Sequence, residues 1–300
     1  MDLKTAEALS VIDGLRIDED GDLSLLTGFR TGGRAAVAVP QTKQALIETV
    51  RVLRELGEKH FILGRGSNVM ALDEGYPGVV ILTREALSSI DAEGTSIRAG
   101  AGVPLADVCR TACREGLTGL EFAYGIPGSV GGAVFMNAGA YGGEMKDVLT
   151  EVEYLDSEGN VTVSAASDLD LSYRKSFFQD HRDMVILSAV FGLREGDSSV
   201  IYETMRETMN KRIEKQPLEY PSCGSTFKRP EGSYASKLID ECGLKGLTVG
   251  GAQVSEKHAG FVINRGGATS SDILELISRI RETVRDMTGY ELECEIEFLE

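Results

Sequence analysis

Apolar positions in the N-terminal part of the chain follow two spacings, one typical of strands and one typical of helices. AAVAV at 35–39, HFIL at 60–63 and GVVIL at 78–82 are short apolar runs beside proline or glycine, which predicts three buried strands. Between the first two, residues 42–57 place apolar side chains at helical spacing and end at a glycine. A helical pattern also covers residues 1–26. We therefore expect an N-terminal helical segment followed by a strand–helix–strand lobe.

Strands and helices continue to alternate in the middle of the chain. SIRAGAG begins a second lobe near residue 96, and a helix is predicted between Pro104 and Gly116. VLTEVEYLD and VTVSA then alternate apolar and polar residues on either side of SEGN, which is typical of a hairpin. MVILSAVFGL at 184–193 predicts the strand that closes this lobe.

The C-terminal third carries its own set of elements after a polar connecting helix. The pattern predicts helices over 198–216, 233–243 and 269–288 and strands over 260–264 and 291–299. Because helices and strands alternate throughout, we predict an α+β fold. The expected organisation is an N-terminal helical segment at 1–26, a two-lobed domain at 27–196 (lobes 27–90 and 91–196) and a smaller C-terminal domain at 197–300.

Composition and charge narrow the classes of protein. The 300 residues are 42% hydrophobic, enough for a core, and 31 basic against 47 acidic side chains give a net charge of -16. Such a balance argues against a nucleic-acid binder and against attachment to anionic lipid. The N-terminus lacks the pattern of a secretory signal, and no apolar run reaches the length of a membrane span. We expect a monomer in the cytoplasm that binds neither nucleic acid nor membrane.

The five cysteines do not indicate a metal site. Their number is odd and their spacing matches no common zinc or iron–sulfur pattern. Cys109 and Cys113 lie one turn apart on the predicted helix, where small buried apolar residues are expected. We therefore predict reduced thiols and no bound metal.

A glycine-rich turn, GRGSN at 64–68, directly follows the strand HFIL. Gly64 and Gly66 let the backbone turn sharply, and short polar side chains lie beside main-chain N–H donors, which suits a phosphate or pyrophosphate. The stretch is neither the dinucleotide fingerprint GxGxxG nor a P-loop. An ordinary tight turn between two elements is the alternative interpretation.

A second cluster, GIPGSVGGAVFMNAGAYGG at 125–143, contains seven glycines in nineteen residues. This much glycine weakens regular structure and is tolerated where a flat or anionic group approaches the backbone closely. Two clusters, one in each lobe, suggest a large phosphate-bearing cofactor with a planar ring system between the lobes. The alternative is a glycine-rich packing seam with no ligand.

Several motifs resemble one family of flavoenzymes. The chain is similar to the UDP-N-acetylenolpyruvoylglucosamine reductase (MurB) family, within the vanillyl-alcohol-oxidase/PCMH-type FAD-binding superfamily. The resemblance covers about residues 27–299 with the motifs in the family's order. It is carried by TGFRTGGRA (27–35), LGRGSN (63–68), GIPGSVGGAVFMNAGAYG (125–142), SYRKSFF (172–178), PSCGSTFKRP (221–230), KLIDECGLKGLTVGGAQVSEKHAGFVINRGGA (237–268) and LECEIEF (292–298).

The resemblance implies a two-lobed PCMH-type FAD-binding domain, a C-terminal substrate-binding domain, and NADPH as hydride donor. The FAD is expected to be noncovalent, because GRGSN lacks the histidine to which some superfamily members attach their flavin. The reaction implied is reduction of the enolpyruvyl ether of UDP-N-acetylglucosamine to UDP-N-acetylmuramate. The residues expected to bind FAD are Gly64, Arg65, Gly66, Ser67, Asn68, Gly125, Ile126, Pro127, Gly128, Ser129, Gly131, Gly132, Asn137 and Gly139.

Three positions match the family's catalytic residues. Hydride transfer to the enolpyruvyl group builds charge on the neighbouring carbon and its carboxylate, which must be stabilised and then protonated. Arg174 matches the carboxylate-binding arginine, Ser225 the proton donor and Glu295 the C-terminal glutamate. The chain departs from the family pattern at Cys294, which replaces a proline, and at Glu297, which replaces a basic residue. These departures change the charge beside Glu295.

Four further residues are expected to contact the UDP-sugar substrate. Lys215 and Arg229 match positions that contact the nucleotide or sugar, and Tyr173 and Lys228 flank the catalytic candidates. Cations in an acidic protein suit the diphosphate. Lys228 and Arg229 also lie close enough in sequence to Ser225 to assist its proton transfer.

Two other functions remain possible on the residues alone. Another FAD-dependent oxidase or dehydrogenase of the superfamily would keep both glycine clusters but would not need Arg174, Ser225 and Glu295 together. A flavin-fold protein that only binds nucleotide sugars or partners would be colourless when purified.

Overall fold

Two compact units make up the protein in a computed structural model, which describes residues 1–299. Unit 1 contains Met1–Glu19, Ala36–Arg65 and Gly78–Lys211, and unit 2 contains Asp20–Ala35, Gly66–Pro77 and residues 212–299. The units therefore interleave along the chain, whereas the sequence pattern predicts boundaries near residues 27 and 197. Residues 20–35 and 66–77 belong with the C-terminal region because Phe29 and Met70 are part of its core.

Helices occur in both units. Within residues 1–299 they are α1 Leu3–Ser10, α2 Lys43–Glu55, α3 Leu105–Arg114, α4 Val130–Phe135, α5 Phe177–Asp180, α6 Ser198–Lys215, α7 Ala235–Glu241 and α8 Ser270–Thr288. The Thr42 side chain caps α2 by accepting from the Ala45 N–H, which satisfies a donor that the helix leaves open. Each helix of residues 1–299 is too short or too polar to cross a bilayer.

Strands are mostly short. They are β1 Leu15–Asp22, β2 Arg34–Pro40, β3 His60–Leu63, β4 Val69–Ala71, β5 Val79–Leu82, β6 Ile90–Glu93, β7 Ser96–Gly100, β8 Leu117–Thr118, β9 Gly139–Ala140, β10 Gly143–Glu144, β11 Leu149–Leu155, β12 Val161–Ala165, β13 Val185–Gly192, β14 Arg194–Glu195, β15 Thr248–Val249, β16 Ala252–Val254, β17 Val262–Asn264 and β18 Glu297–Leu299. The mixture of helices and strands confirms the predicted α+β class.

Unit 1 is organised around two sheets. The first has the order β1-β2-β5-β3, and β5 pairs in parallel with β2 and β3. The second has the order β12-β11-β13-β7-β6 with antiparallel pairing, and β11 and β12 form the predicted hairpin. Because β3 and β5 run in the same direction, the segments that follow them leave the same edge of the first sheet.

Unit 2 combines a three-stranded antiparallel sheet, β15-β16-β17, with α7 and α8. A parallel pair, β4 with β18, joins the segment after the first glycine loop to the end of the chain. Buried side chains from both helices, the sheet and the interleaved segments form one core.

Two predicted elements differ from the structure. The prediction of a helical segment over residues 1–26 is wrong beyond α1, because Gly14 has φ +73° and the next residues form the strand β1. The predicted strand 291–299 is regular only over β18, since its partner β4 offers three residues for pairing. Before β18 there is a single antiparallel bridge between Phe227 and Cys294.

The second glycine cluster contains a short helix, α4, that the sequence pattern did not predict. Gly131 lies in its first turn, and a Cβ there would approach the Cβ of Ala101 to 2.9 Å. Glycine at this position therefore permits close packing of α4 on the segment that follows β7. Side-chain packing outweighs the low helix propensity of glycine here.

Candidate active site

The first glycine loop begins where β3 ends and packs too tightly for side chains at its two glycines. A Cβ at Gly64 would overlap the Ser129 hydroxyl oxygen, and one at Gly66 would overlap the carbonyl oxygen of Leu26. Gly66 also has φ +66°, which favours glycine. These two positions require glycine for backbone reasons before any ligand is considered.

The two glycine clusters meet within unit 1. Gly64 lies against Ser129, and the Arg65 Nε donates to the Pro127 carbonyl oxygen over 3.3 Å. Ser129 is only 2% exposed, yet its hydroxyl has no hydrogen-bond partner among residues 1–299. A buried polar group of this kind normally has a partner, so it marks a place where a bound group can supply one.

Arg84 joins this cluster although the sequence pattern did not single it out. Its Nε donates to the Gly64 carbonyl oxygen over 3.0 Å. Burial and the nearby Arg65 charge both lower the pKa of Arg84. Neither guanidinium is paired with a carboxylate within the described part of the chain. A sequence signal did exist, because Arg84 follows β5, the strand next to β3, at the edge of the sheet where ligands bind in parallel folds.

This set fits a diphosphate-bearing cofactor such as FAD. Two guanidinium groups supply positive charge, and Ser129 supplies an unpaired hydroxyl. No group of three or more His, Cys, Asp or Glu side chains among residues 1–299 could hold a metal ion.

Arg174 lies in a tight turn of unit 1. Ser172 and Lys175 exchange two main-chain hydrogen bonds of 3.0 Å, and Arg174 between them has φ +53°. Its Nη2 donates to the Gly139 carbonyl oxygen over 3.1 Å, and its guanidinium lies 5.0 Å from the centre of the Tyr173 ring. Tyr173 is 42% exposed. The guanidinium is therefore held by two neighbours in a strained turn, as a positioned binding group would be.

Buried Asn137 supports this turn. Its amide nitrogen donates to the Ser172 carbonyl oxygen over 2.7 Å and to Glu144 Oε2 over 2.9 Å, and its amide oxygen accepts from the Lys146 N–H. All of its side-chain polar atoms are thus engaged by the protein. Asn137 was predicted to bind FAD, and in the structure its side chain links the second glycine cluster to the Arg174 turn.

Ser225 is exposed at a turn in unit 2, after Gly224 with φ +77°. The next residue, Thr226, is fully buried; its N–H donates to Gly260 and its hydroxyl accepts from the Val262 N–H. Ser225 is therefore an accessible hydroxyl next to a rigid anchor.

Both basic residues after Ser225 have partners in unit 2. Lys228 Nζ lies 2.6 Å from Glu293 Oε1, and the Arg229 guanidinium lies 4.6 Å from the centre of the Tyr234 ring. Lys215, the last residue of α6, is exposed. The positive field expected around Ser225 is thus offset in part by Glu293.

Glu295 is half-buried beside this segment. Its N–H donates to the Thr226 carbonyl oxygen over 2.9 Å, and its own carbonyl oxygen accepts from the Asn68 amide over 2.9 Å. The structure therefore brings Glu295 next to the residue that follows Ser225, whereas Arg174 and Tyr173 belong to unit 1. The first loop is divided in the same way, with Gly64 and Arg65 in unit 1 and Gly66, Ser67 and Asn68 in unit 2.

Two thiols near these residues are weakly nucleophilic. Burial raises the pKa of Cys223 and, more modestly, that of Cys294. A thiol with a raised pKa is a poor nucleophile at neutral pH. Cys294 is partly buried and packs against the core of unit 2 beside Glu295.

Comparison with known protein families identifies both halves of the chain. Residues 34–164 match a family described as "FAD binding domain", and residues 216–299 match "UDP-N-acetylenolpyruvoylglucosamine reductase, C-terminal domain". These two ranges include the residues expected to bind FAD and most of the residues expected to act in catalysis or substrate binding.

Whole-chain relatives carry the same description. The chain is 44% identical over 284 residues to UDP-N-acetylenolpyruvoylglucosamine reductase of Clostridium perfringens (strain SM101 / Type A), covering 94% of this chain and 93% of that protein. It is 46% identical over 274 residues to the protein of that name from Caldanaerobacter subterraneus subsp. tengcongensis, covering 91% and 90%. The crystal structure of UDP-N-acetylenolpyruvylglucosamine reductase from Thermus caldophilus matches with a TM-score of 0.82 and 36% identity, covering 95% of this chain and all of that one.

Proposed function

The chain belongs to the UDP-N-acetylenolpyruvoylglucosamine reductase family, and from this premise we propose how its own residues divide the work of the reaction. It is an FAD-containing, NADPH-dependent oxidoreductase that converts UDP-N-acetylglucosamine enolpyruvate to UDP-N-acetylmuramate, a precursor of peptidoglycan. The alternative of another FAD-dependent oxidase or dehydrogenase is not favoured, because the relatives match over nearly the whole chain.

Bound FAD supplies the hydride that reaches the substrate, after reduction by NADPH. For this chain we propose that the first loop and the second glycine cluster hold the cofactor noncovalently. The observation that supports this assignment is the unpartnered Ser129 hydroxyl beside Gly64. Arg65 and Arg84 add the charge that a diphosphate needs, in a protein whose net charge is -16.

Arg174 and Glu295 are assigned to stabilisation of the enolate. As hydride adds to the terminal carbon of the enolpyruvyl group, negative charge develops on the adjacent carbon and its carboxylate. Arg174 suits that carboxylate because a guanidinium stays charged and offers several donors, of which one binds Gly139. Glu295 can stabilise an enolate oxygen only by donating a hydrogen bond, so it acts in its protonated form.

Ser225 is assigned to the protonation step. Its hydroxyl proton passes to the carbon next to the carboxylate, which completes addition of hydride and proton across the double bond. Exposure of Ser225 and the rigid Thr226 beside it favour this role. A serine hydroxyl is a weak acid, so close positioning has to compensate.

Substrate anchoring is assigned to Tyr173, Lys215, Lys228 and Arg229. The stacking of Arg229 on Tyr234 orders its guanidinium, and a guanidinium suits a diphosphate ligand. Lys228 shares its charge with Glu293 and is assigned a smaller part of the binding.

Ser225→Ala separates the two half-reactions and tests the proton donor. Under anaerobic conditions we expect the variant to hold FAD and to be bleached near 450 nm by NADPH as the wild type is. Reoxidation by the enolpyruvyl substrate should slow by roughly 10²–10⁴-fold, the range typical of a lost general acid. Stopped-flow absorbance measures both steps.

The outcomes of this experiment are distinct. Near-normal reoxidation of Ser225→Ala would remove Ser225 as the proton donor. Return of the wild-type flavin band only with oxygen would mean that the substrate assignment is wrong. Absence of a flavin band after incubation with FAD would contradict the cofactor assignment.

We also propose the setting in which the enzyme works. Its charge favours a protein that binds no nucleic acid, and its nucleotide-sugar substrate supports a cytoplasmic location. A monomer is proposed. Residues 27–196 are assigned to FAD, except for Tyr173 and Arg174, which serve the substrate together with residues 197–300.

A further inference from the structure

At Asn68, a hydrogen bond from the side chain takes the place of a main-chain hydrogen bond expected next to the β4–β18 pair. β4 and β18 pair in parallel from Val69 and Glu297 onward, and the Asn68 carbonyl oxygen accepts from the Glu297 N–H over 2.9 Å. In a regular parallel ladder, the next bond would run from the Asn68 N–H to the Glu295 carbonyl oxygen. Here the Asn68 side-chain amide makes that bond, at 2.9 Å.

Because the side-chain amide makes this bond, the main-chain N–H of Asn68 has no acceptor among residues 1–299. The residue therefore does two things at once. Its side chain and carbonyl oxygen hold the chain on both sides of Ile296, while its main-chain donor stays available at the end of the glycine loop. An alanine could provide the second feature but not the bond to Glu295.

Both main-chain polar groups of Glu295 are engaged by this arrangement. Its N–H is held by Thr226, the neighbour of Ser225, and its carbonyl oxygen is held by Asn68. Thr226 is in turn fixed by Gly260 and Val262. Because both adjacent peptide planes are fixed, the direction in which the Glu295 side chain leaves the backbone is fixed as well.

We propose that Asn68 is a positioning residue for Glu295, acting through the bond from its side-chain amide to the Glu295 carbonyl oxygen. The proposal rests on the role assigned to Glu295 above. Asparagine suits this place because aspartate has the same shape but no donor when ionised. Asn68, predicted from the sequence to bind FAD, thus acts with its side chain on the catalytic glutamate.

The test compares Asn68→Ala and Asn68→Asp in the wild type and in Glu295→Ala, which removes the hydrogen-bond donor. In the wild-type background we expect reoxidation by the enolpyruvyl substrate to slow roughly tenfold or more, because small displacements of a reacting group are costly. For Asn68→Ala, the rate of bleaching by NADPH and the dissociation constant for FAD should change less than about threefold, within ordinary context effects. Asn68→Asp is compared by its reoxidation rate at saturating FAD, because a carboxylate in this loop also repels the diphosphate. In Glu295→Ala, the Asn68 substitutions should slow reoxidation no further, because their only route of action is already lost.

Ser270→Ala serves as the matched control. The Ser270 hydroxyl accepts from the Asp73 N–H over 2.9 Å, so it too links segment 66–77 to the C-terminal part of unit 2, but at the far end of β4. We expect it to leave both half-reactions unchanged while lowering stability as Asn68→Ala does. If Asn68→Ala fails to fold, Asn68→Asp keeps the side-chain volume and carries the test.

Three results would overturn the proposal. Additive effects of Asn68 and Glu295 substitutions would mean that Asn68 acts elsewhere. Weakened FAD binding with an unchanged reoxidation rate would return the Asn68 side chain to the cofactor site. Normal reoxidation in Glu295→Ala alone would remove the role of Glu295, and with it this inference, while leaving the Ser225→Ala result unaffected.

Discussion

Ser129 shows how a single residue can carry information about a ligand. Its hydroxyl is buried and unpaired within residues 1–299, whereas the hydroxyl of buried Ser176 donates to the Phe135 carbonyl oxygen over 2.6 Å. Leaving a buried hydroxyl unsatisfied costs about 1–3 kcal/mol. The protein tolerates this cost at Ser129 if the cofactor forms the missing bond.

Substitution of these two serines is expected to have opposite effects on the stability of the FAD-free protein. Ser129→Ala removes an unpaired group and should leave the free energy of unfolding unchanged or raise it, while Ser176→Ala should lower it by about 1 kcal/mol. FAD affinity should fall roughly tenfold for Ser129→Ala, the equivalent of one hydrogen bond. Urea unfolding and fluorescence titration measure the two quantities.

A loss of stability in Ser129→Ala equal to that in Ser176→Ala would show that the Ser129 hydroxyl has a partner within the folded chain. Unchanged FAD affinity would place the cofactor away from Ser129.

At the scale of elements, α8 shows the clearest link between local sequence and stability. Thr269 and Asp272 form a capping box, in which each side chain accepts from the other residue's N–H. The helix then buries one apolar face and ends at Gly289, whose φ of +76° suits glycine. Its buried apolar residues are Ile273, Leu276, Ile277, Ile280 and Val284.

The capping box makes the stability of the protein depend on pH. Hydrogen bonds from the N–H groups of Thr269 and Gly251 hold the pKa of Asp272 below its usual 3.8. Between the folded and unfolded pKa values, the unfolded chain binds more protons, so stability rises with pH. The contribution of Asp272 is therefore complete above the unfolded pKa and is lost as pH falls through the folded pKa.

We expect Thr269→Ala to lower the free energy of unfolding by about 1 kcal/mol, as is usual for a lost N-cap. Asp272→Asn should lower stability at pH 7, and the difference from the wild type should shrink as the solution is acidified below the usual pKa. Urea unfolding across this range measures both. Ser278→Ala, on the exposed face of α8, is the control and should change little. A pH-independent difference for Asp272→Asn would contradict the assignment.

Helices and strands were predicted correctly where neighbouring residues determine them and were missed where pairing with another segment determines them. HFIL at 60–63 and the hairpin at 148–165 were predicted because apolar alternation is a local property. β1 was missed because it lies in an acidic stretch, LRIDEDGD, most of whose polar residues do not alternate with apolar ones, so that only its pairing with β2 makes it a strand. Residues 291–296 alternate like a strand but lack a continuous partner, so pairing, not pattern, limits β18.

At the scale of the whole molecule, each unit has its own hydrophobic core. The core of unit 1 is formed by residues between Leu9 and Met205, and that of unit 2 includes Phe29 and Met70 from the interleaved segments. Residues proposed for catalysis come from both units, with Arg174 in the first and Ser225 and Glu295 in the second. Each hydrophobic core must therefore be intact to hold the residues that its own unit contributes to the proposed reaction.

At this scale we predict a monomer, and the net charge of the chain predicts that it does not bind nucleic acid. Light scattering after size-exclusion chromatography should give a mass close to 32.3 kDa. DNA should not shift the protein in a gel even at low salt, where electrostatic binding is strongest, because a net charge of -16 repels phosphate. A dimer mass would contradict the first part and a salt-sensitive shift the second.

The sequence by itself determined the α+β class, most helices, about half of the strands, the two glycine clusters and the family, because periodicity, glycine placement and motif order are local properties of the chain. It did not determine that Gly64 lies against Ser129, that Arg84 lies beside Arg65, or that Asn68 holds Glu295. Asn68 and Glu295 are separated by 227 residues, and no periodic pattern links positions so far apart. Such contacts depend on how sheets and loops pack in space. A sequence motif shows that a residue is a candidate, whereas these contacts show what its side chain binds.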